Sequence, residues 1–167
     1  MAKRDKLQKT NAMRELERAG IAFSVDTYDP DDPSLEGEYG TGVALLLGED
    51  LDTAFKTLVT RTPSGGCVVC CIPVRCELDL KRAAAVAGEK SLEMLHLRDL
   101  EPTTGYVRGG CTPVGMKKAF PTLIDESAQL FDTIGISGGA RGISLRLNPL
   151  QLAEFTGAVF ADIAREV

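Results

Sequence analysis

The sequence predicts a single α/β domain built on a mixed β-sheet. Helical and strand patterns alternate along the 167 residues, and no linker, internal repeat or low-complexity segment separates them. Hydrophobic residues make up 44% and charged residues 26% of the chain, which is typical of a globular domain. A chain of about 150 residues buries roughly 70% of its unfolded surface, so this length supports a core without disulfides.

The first part of the chain predicts a helix, a strand and a second helix. Thr10 or Asn11 can cap an amphipathic helix, and Gly20 ends it. Alternating apolar residues then predict a strand over 21–28, which an Asp- and Pro-rich loop follows. The next apolar segment, 41–47, predicts a short helix.

The middle of the chain predicts a β-hairpin and a helix. The β-prone segments 55–60 and 67–73 are joined by the glycine-containing turn 63–66, which is typical of paired strands. The pattern over 79–87 predicts a helix that Gly88 closes.

The last part of the chain predicts several short strands and one longer helix. Asn148 caps this helix and Pro149 begins it, and its apolar face continues to Ile163. The expected strands are 92–97, 106–108, 122–125, 133–137 and 143–147.

The charge of the chain is negative and unevenly distributed. The formal net charge is −5, which argues against indiscriminate nucleic-acid binding. Residues 1–55 carry 6 basic and 12 acidic residues, whereas residues 56–167 carry 13 basic and 12 acidic ones. The charge distribution therefore does not exclude a local basic cleft in the second part of the chain.

No apolar run approaches the roughly 20 residues that span a bilayer, and the first ten residues lack the apolar core of a signal peptide. We therefore expect a cytoplasmic protein without a membrane partner. Its cysteines are then expected to be reduced.

The chain has a single histidine, His96, which limits the catalytic sites it can form. A catalytic Cys–His or Ser–His pair would have to use it. Its segment alternates like a half-buried strand, and we assign it no role.

The five cysteines permit two interpretations. Cys67 and Cys70 have the spacing of a metal or redox pair. They lie, however, with Cys71 in an apolar β-prone run, where adjacent side chains alternate between faces and cysteine packs as a small hydrophobe. Core packing is favoured, and we expect neither a metal nor a cofactor.

Two glycine clusters and one lysine are further candidates. The glycines of 103–110 and 137–142 form turns or binding loops, and neither cluster has a nucleotide-loop spacing. Lys56 lies in an apolar strand pattern, either on its solvent side or as a cation at the mouth of a cleft.

Taken together, these segments resemble the YbaK family, the prolyl-tRNA synthetase-associated editing domains that act as Cys-tRNA(Pro) deacylases. The resemblance is spread over almost the whole chain. The matching segments are 9–12, 55–59, 76–81, 104–115, 121–125, 137–142 and 160–164.

The resemblance implies a mixed, barrel-like β-sheet surrounded by helices, with residues 1–167 forming one editing domain. It implies that Lys56 holds the terminal adenosine or a nearby phosphate of the aminoacylated tRNA 3′ end. Gly109 and Gly110 would meet the ester carbonyl as the other catalytic positions. The implied substrate-binding positions are Tyr28, Tyr39, Thr57, Gly105, Ser137, Gly138, Gly139 and Arg141.

The resemblance also implies a mechanism and partners. The substrate's own thiol would attack the ester, which needs positioning and oxyanion stabilisation rather than a protein nucleophile. Cys-tRNA(Pro) is the implied substrate, and prolyl-tRNA synthetase is a possible partner. Ser144 replaces a commonly acidic residue and Ala140 a commonly basic one, which leaves two alternatives open. These are another acyl group, such as alanine or serine, and a non-catalytic tRNA- or synthetase-binding module.

Overall fold

The computed structural model describes residues 8–167, which contain five α-helices and ten β-strands. The helices are α1 (Asn11–Arg18), α2 (Tyr39–Leu46), α3 (Leu80–Ala87), α4 (Leu97–Thr104) and α5 (Pro149–Thr156). The strands are β1 (Phe23–Thr27), β2 (Phe55–Arg61), β3 (Cys67–Pro73), β4 (Cys76–Leu78), β5 (Glu93–Met94), β6 (Thr122–Asp125), β7 (Ile134–Ser137), β8 (Ile143–Leu147), β9 (Val159–Ala161) and β10 (Ala164–Glu166).

The strands form three sheets. The largest has the order β5-β2-β3-β6-β9 and mixes antiparallel with parallel pairs. A three-stranded antiparallel sheet has the order β1-β8-β7, and β10 pairs with β4. The expected mixed α/β fold is confirmed, but the sheets do not close, because β5 and β9 remain at opposite edges.

The outer edge of β2 is open for most of its length. On one side β2 pairs with β3 from Phe55 to Arg61, whereas on the other side it pairs with β5 at Thr60 and Arg61. An isolated bridge between Ala54 and Gly135 joins the start of β2 to the second sheet. The segment between these two contacts faces a gap between the sheets.

Strand β3 is the centre of the core, and all seven of its residues are buried. Cys71 packs in the cluster that contains the second sheet, while Cys70 packs on the side of α3. Cys67 contributes to a third cluster. The expected core packing of this cysteine-rich strand is confirmed.

The helix caps predicted at Thr10 and Asn148 are also confirmed. The Thr10 side chain accepts a hydrogen bond from the Met13 N–H at 3.2 Å. Asp79, which the sequence pattern placed inside its helix, is a further cap and accepts a hydrogen bond from the Arg82 N–H at 3.1 Å. Asn148 accepts hydrogen bonds from two backbone N–H groups at the start of α5. These side chains satisfy donors that a helix leaves unpaired in its first turn.

Two predicted strands are wrong in whole or in part. Of the strand expected over 92–97, two residues pair with β2, and helix α4 begins at Leu97 with His96 exposed at its N-cap. The sequence pattern hid α4 because Pro102 lies inside it, and proline disfavours helix interiors. The strand expected over 106–108 is instead a loop, which the buried Tyr106 anchors by donating to the Val114 carbonyl at 2.6 Å.

The last helix is shorter than expected. Helix α5 ends at Thr156, because Gly157 takes a left-handed conformation that reverses the chain. Residues that would have continued its apolar face instead enter β9, which pairs in parallel with β6. Among the described residues, no helix combines the length and apolar character needed to cross a bilayer.

Asp125 should be the main polar determinant of stability at the end of β6. Its carboxylate is buried and accepts hydrogen bonds from the N–H groups of Ile163 and Ala164 at 3.1 and 3.0 Å. It also accepts the Ser127 hydroxyl at 2.6 Å. Replacing Asp125 with Ala leaves these donors unpaired, so we expect a loss of about 2–4 kcal/mol in the free energy of unfolding.

Urea unfolding followed by circular dichroism measures this loss. Asp162→Ala is the control, because Asp162 is exposed and its ion pair with Arg82 is solvated. Equal stability of the two variants would contradict the role of Asp125.

Candidate active site

A cavity of about 460 Å³ opens at the uncovered edge of β2. Helix α2 and the β3–β4 turn form one side of the cavity, and the loop after α4 forms another with β7 and β8. The predicted site residues on its wall are Tyr39, Lys56, Thr57, Gly109 and Ser137. The fold therefore brings together residues that lie up to 98 positions apart in the sequence, since 137 − 39 = 98.

Lys56 is the basic side chain that β2 directs to this cavity. The β2–β3 pairing fixes its position opposite Ile72. Gly40 packs closely beside Lys56. A Cβ at that glycine would lie 3.0 Å from Val74 Cγ1 and 4.0 Å from Lys56 Cβ, so its absence leaves space next to the lysine. Within residues 8–167 Lys56 forms no ion pair, so its ammonium group is available to an anion.

Tyr39 connects the cavity wall to three other segments. Its hydroxyl lies 2.7 Å from the hydroxyl of Tyr28, and the two rings meet edge to face with centroids 6.2 Å apart. The Arg141 guanidinium lies over the Tyr39 ring at 5.5 Å, within the range of a cation–π contact. Burial and the hydrogen bond to Tyr39 raise the pKa of Tyr28, which keeps the Tyr28 hydroxyl group neutral.

The glycine loop after α4 packs directly on this tyrosine. A Cβ at Gly109 would lie 3.0 Å from Tyr39 Cε1 and 3.3 Å from Arg141 Cγ. A Cβ at Gly110 would lie 3.0 Å from Ala140 Cα. The backbone of this loop can therefore pack this close to Tyr39 and Ala140 because neither glycine has a Cβ.

The two catalytic glycine candidates differ in position. Gly109 lines the cavity, whereas Gly110 is buried behind its wall. The Gly110 N–H also donates to the Val107 carbonyl at 2.9 Å, so that donor is already used. Of the two, Gly109 is the one placed to meet a substrate.

The remaining predicted glycines lie outside the cavity wall. The Gly105 N–H closes α4 by donating to the Glu101 carbonyl at 2.9 Å. The Gly138 N–H donates to the Ile143 carbonyl at 2.9 Å, and the Gly139 N–H donates to Ser137 Oγ at 3.3 Å. Gly138 and Gly139 shape the loop that holds Ser137 and Arg141, and Gly105 shapes the loop that leads to Gly109. Tyr28 and Arg141 contact the cavity wall through Tyr39.

The structure reveals a buried charge pair that the sequence pattern did not indicate. Glu49 lines the cavity with its side chain 8% exposed, and its Oε2 lies 2.5 Å from Arg146 Nη1. Arg146 Nη2 donates to Thr53 Oγ1 at 2.7 Å. A Cβ at Gly135 would clash with the Glu49 carboxylate, so that glycine makes room for it. The cavity thus contains a carboxylate even though Ser144, on the same wall, is not acidic.

The sequence pattern also did not place two cysteines at the site. Cys76 and Cys111 both line the cavity, although they lie 35 residues apart in the sequence (111 − 76 = 35). Burial raises the pKa of Cys111 to about 12, and burial likewise raises the pKa of Cys76. A thiol in this state is a poor nucleophile at neutral pH.

The site and the fold together define a class of protein. A free lysine, exposed loop backbone and hydroxyl side chains around a half-open cavity suit an anionic substrate with a polar reactive group, held in a mixed α/β domain. Residues 42–155 match the aminoacyl-tRNA editing domain family. The chain belongs to this family, and its reaction class is aminoacyl-tRNA deacylation.

A curated relative from Enterococcus faecalis is 45% identical over 163 residues, covers 98% of both chains, and is named "Putative Cys-tRNA(Pro)/Cys-tRNA(Cys) deacylase EbsC". A solved hypothetical protein, APE2540, has a TM-score of 0.82 at 23% identity and covers 93% of this chain and 100% of its own. A structure titled as a putative trans-editing enzyme for prolyl tRNA synthetase has a TM-score of 0.79 at 24% identity, covering 95% and 99%. These two structures share the fold.

Replacing Gly109 with Ala should impair the site more than the fold. Both Gly109 and Gly88 have left-handed φ angles, +83° and +73°, so alanine costs about 1–2 kcal/mol at either position. A Cβ meets Tyr39 and Arg141 at Gly109 but nothing within 4 Å at Gly88, which lies outside the cavity wall. Deacylation should fall at least tenfold in Gly109→Ala and remain near wild type in Gly88→Ala.

Matched melting temperatures of the two variants provide the stability control for this comparison. An active Gly109→Ala enzyme would show that the contact with Tyr39 is dispensable.

The buried cysteines should react slowly with iodoacetamide in the native protein. Burial raises the pKa of Cys70, Cys71 and Cys111 from 9.0 to about 12, so their thiols stay protonated until the pH approaches that value. At pH 8 the thiolate fraction is then lower by about a thousandfold, and alkylation is slowed accordingly. The rate should rise about tenfold for each pH unit.

Mass spectrometry of the modified peptides measures these rates, with the urea-unfolded protein as the control. Equal labelling of native and unfolded Cys111 would show that its thiol is ionised in the cavity.

Proposed function

We propose that this protein removes cysteine from mischarged Cys-tRNA(Pro) in trans, with residues 1–167 acting as one editing domain. The observation that carries the proposal is the position of Lys56 and Gly109 on one cavity wall. A free cation and an exposed backbone segment are the two elements needed to hold an aminoacyl ester at the end of a polyanion. The 45% identical relative, whose name includes this substrate, supports the same assignment.

Lys56 binds the phosphate or ribose end of the 3′-terminal adenosine. A lysine ammonium is a compact point charge with three donors, which suits a phosphate oxygen that approaches from several directions. Its freedom from ion pairs within the described chain means that no internal contact has to break first. Lys56 therefore holds the substrate and does not attack it.

The Gly109 segment polarises the ester carbonyl. Backbone N–H groups aimed at a developing oxyanion stabilise the transition state, each by about 3–4 kcal/mol in measured cases. Thr57 and Ser137 are the hydroxyl side chains on the same wall, and they orient the acyl group. The packing of Gly109 on Tyr39 keeps the donor fixed before the substrate binds.

The nucleophile is the thiol of the substrate. Its sulfur attacks the ester carbonyl carbon, a C–S bond forms, and the C–O bond to the ribose breaks. The thiol proton ends on the ribose hydroxyl, which leaves uncharged tRNA and a cyclic thioester that water opens to free cysteine. Holding the two reacting groups together is worth up to about 7–11 kcal/mol, so positioning suffices without a protein nucleophile.

The partner and the location follow from this substrate. We place the protein in the cytoplasm, where it acts on tRNA released by prolyl-tRNA synthetase. A complex with that synthetase would supply the selection of tRNA(Pro), since a net charge of −5 provides little general affinity for RNA. Because the relative's name covers both Cys-tRNA(Pro) and Cys-tRNA(Cys), the second candidate is the same reaction on the cysteinyl ester of tRNA(Cys).

Deacylation assays on purified protein test the proposal. Cys-tRNA(Pro) should lose its ester rapidly and Pro-tRNA(Pro) should not. Ser-tRNA(Pro) should react at least about a hundredfold more slowly than the cysteinyl ester, because a hydroxyl is a far weaker nucleophile than a thiol at neutral pH. Lys56→Ala should lose at least about a hundredfold in kcat/KM, equivalent to about 2.7 kcal/mol of transition-state stabilisation.

Lys90→Ala serves as the matched control, because Lys90 is an exposed lysine outside the cavity wall. If folded wild-type protein hydrolysed none of the three esters, the proposed activity would be refuted. Equal rates on the cysteinyl and seryl esters would refute the substrate thiol as nucleophile and indicate an activated water instead.

A further inference from the structure

A second groove, of about 530 Å³, lies at the far end of the β2–β3 hairpin. Three of its lining residues are basic and one is acidic, within a chain whose net charge is −5. The basic residues are Arg61, Lys117 and Lys118, and the acidic one is Asp99. We propose that this groove binds the phosphate backbone of the tRNA acceptor stem, an inference that rests on the proposed function of the first cavity.

The two lysines are the cations of the groove that an external anion can reach. Arg61 forms an ion pair with Glu93. Lys117 and Lys118 are both exposed, and in the described part of the chain neither forms an ion pair. Several other surface arginines are paired with carboxylates, as Arg82 is with Asp162. The groove therefore brings two adjacent lysines without an ion pair together beside Arg61.

Weak contacts with the protein hold both lysines against the groove. Lys117 Nζ donates to the Pro102 carbonyl at 3.3 Å, and Lys118 Nζ lies 5.4 Å from the centroid of the Phe120 ring. Both contacts leave ammonium protons free, because each lysine has three. The charges are thus positioned but still available to phosphate oxygens.

The groove and the active-site cavity are connected through the fold. Lys56 and Arg61 lie five residues apart on β2, about 17 Å along a strand, and this odd spacing places their side chains on opposite faces, so a substrate that reaches both has to pass the open outer edge of β2. The loop that brings Gly109 to the cavity begins at Gly105, where an added Cβ would lie 3.3 Å from Lys117 Cγ. A substrate with its acyl end at Lys56 and a polyanionic stem leading away from it matches this arrangement.

The composition of the groove favours RNA over a protein partner. Protein interfaces are depleted in lysine at their centres and enriched in large aromatic residues and arginine. Here the accessible cations are lysines, and the one aromatic residue on the groove wall, Phe120, lies beneath Lys118. Lysine point charges on a polar surface are the usual means of neutralising phosphates without reading sequence.

Binding of uncharged tRNA(Pro) to the full chain tests the groove directly. Fluorescence anisotropy at several salt concentrations gives the slope of log K against log salt for wild type and for Lys117→Ala/Lys118→Ala. Each lost phosphate contact lowers that slope by about 1, so the double variant should lower it by about 2 and weaken binding about tenfold or more at low salt. Lys117→Arg/Lys118→Arg should retain the wild-type slope.

Lys81→Ala/Lys90→Ala is the matched control, since it removes two exposed lysines that lie outside the groove. An unchanged slope in the Lys117/Lys118 alanine variant, or an equal change in the control, would overturn the proposal. This readout does not require catalysis, so it stands apart from the test of the proposed activity. Tight groove-dependent binding without ester loss would support the groove and refute the activity.

Kinetics with two substrates locate the contribution of the groove. With Cys-tRNA(Pro), the alanine double variant should raise KM at least fivefold and leave kcat within a factor of two. With a cysteinyl ester of the trinucleotide CCA, which is too short to have a stem, the same variant should match wild type. Equal losses on both substrates would overturn the assignment, because they would indicate damage to the active-site cavity.

Discussion

Tyr39 stands at the contact between the first turn of α2, the end of β1 and the two glycine loops. Its hydroxyl meets Tyr28, its ring lies beneath Arg141, and the backbone of Gly109 packs on its edge. The contacts are a hydrogen bond, a cation–π contact and a close approach that only glycine permits, and together they hold the four segments at one side chain. Tyr39 therefore joins the wall of the candidate active-site cavity to three other segments of the chain.

The cavity itself exists because β2 is incompletely paired. Strand β5 covers two residues of its outer edge, and the bridge from Ala54 to Gly135 covers its start. A longer β5 would have filled the space beside Lys56 with backbone. The open sheet leaves this strand edge accessible, whereas a closed barrel would have no free edge at this position.

Local features were predictable from the sequence, and long-range ones were not. The cap at Thr10, the hairpin of β2 and β3 and the burial of Cys70 follow from short-range patterns that the structure confirms. The pairing of Glu49 with Arg146 spans 97 residues, since 146 − 49 = 97, and no local pattern indicates it. Resemblance suggested Gly105 and Gly138 as binding positions; in the structure their N–H groups close turns, and neither glycine lines the cavity. A glycine that closes a turn and one that lines a cavity look alike in sequence.

The groups described at the cavity fit the proposed mechanism, in which the protein positions the substrate. Burial keeps the Cys111 thiol protonated, and His96 lies exposed at the start of α4, outside the cavity wall. The carboxylate of Glu49 is already paired with Arg146 in the cavity wall. In the proposed mechanism Lys56 holds a phosphate and backbone N–H groups stabilise an oxyanion. In that mechanism selectivity comes from the acyl group itself, because an acyl group that carries a nucleophile reacts and one that lacks it stays intact.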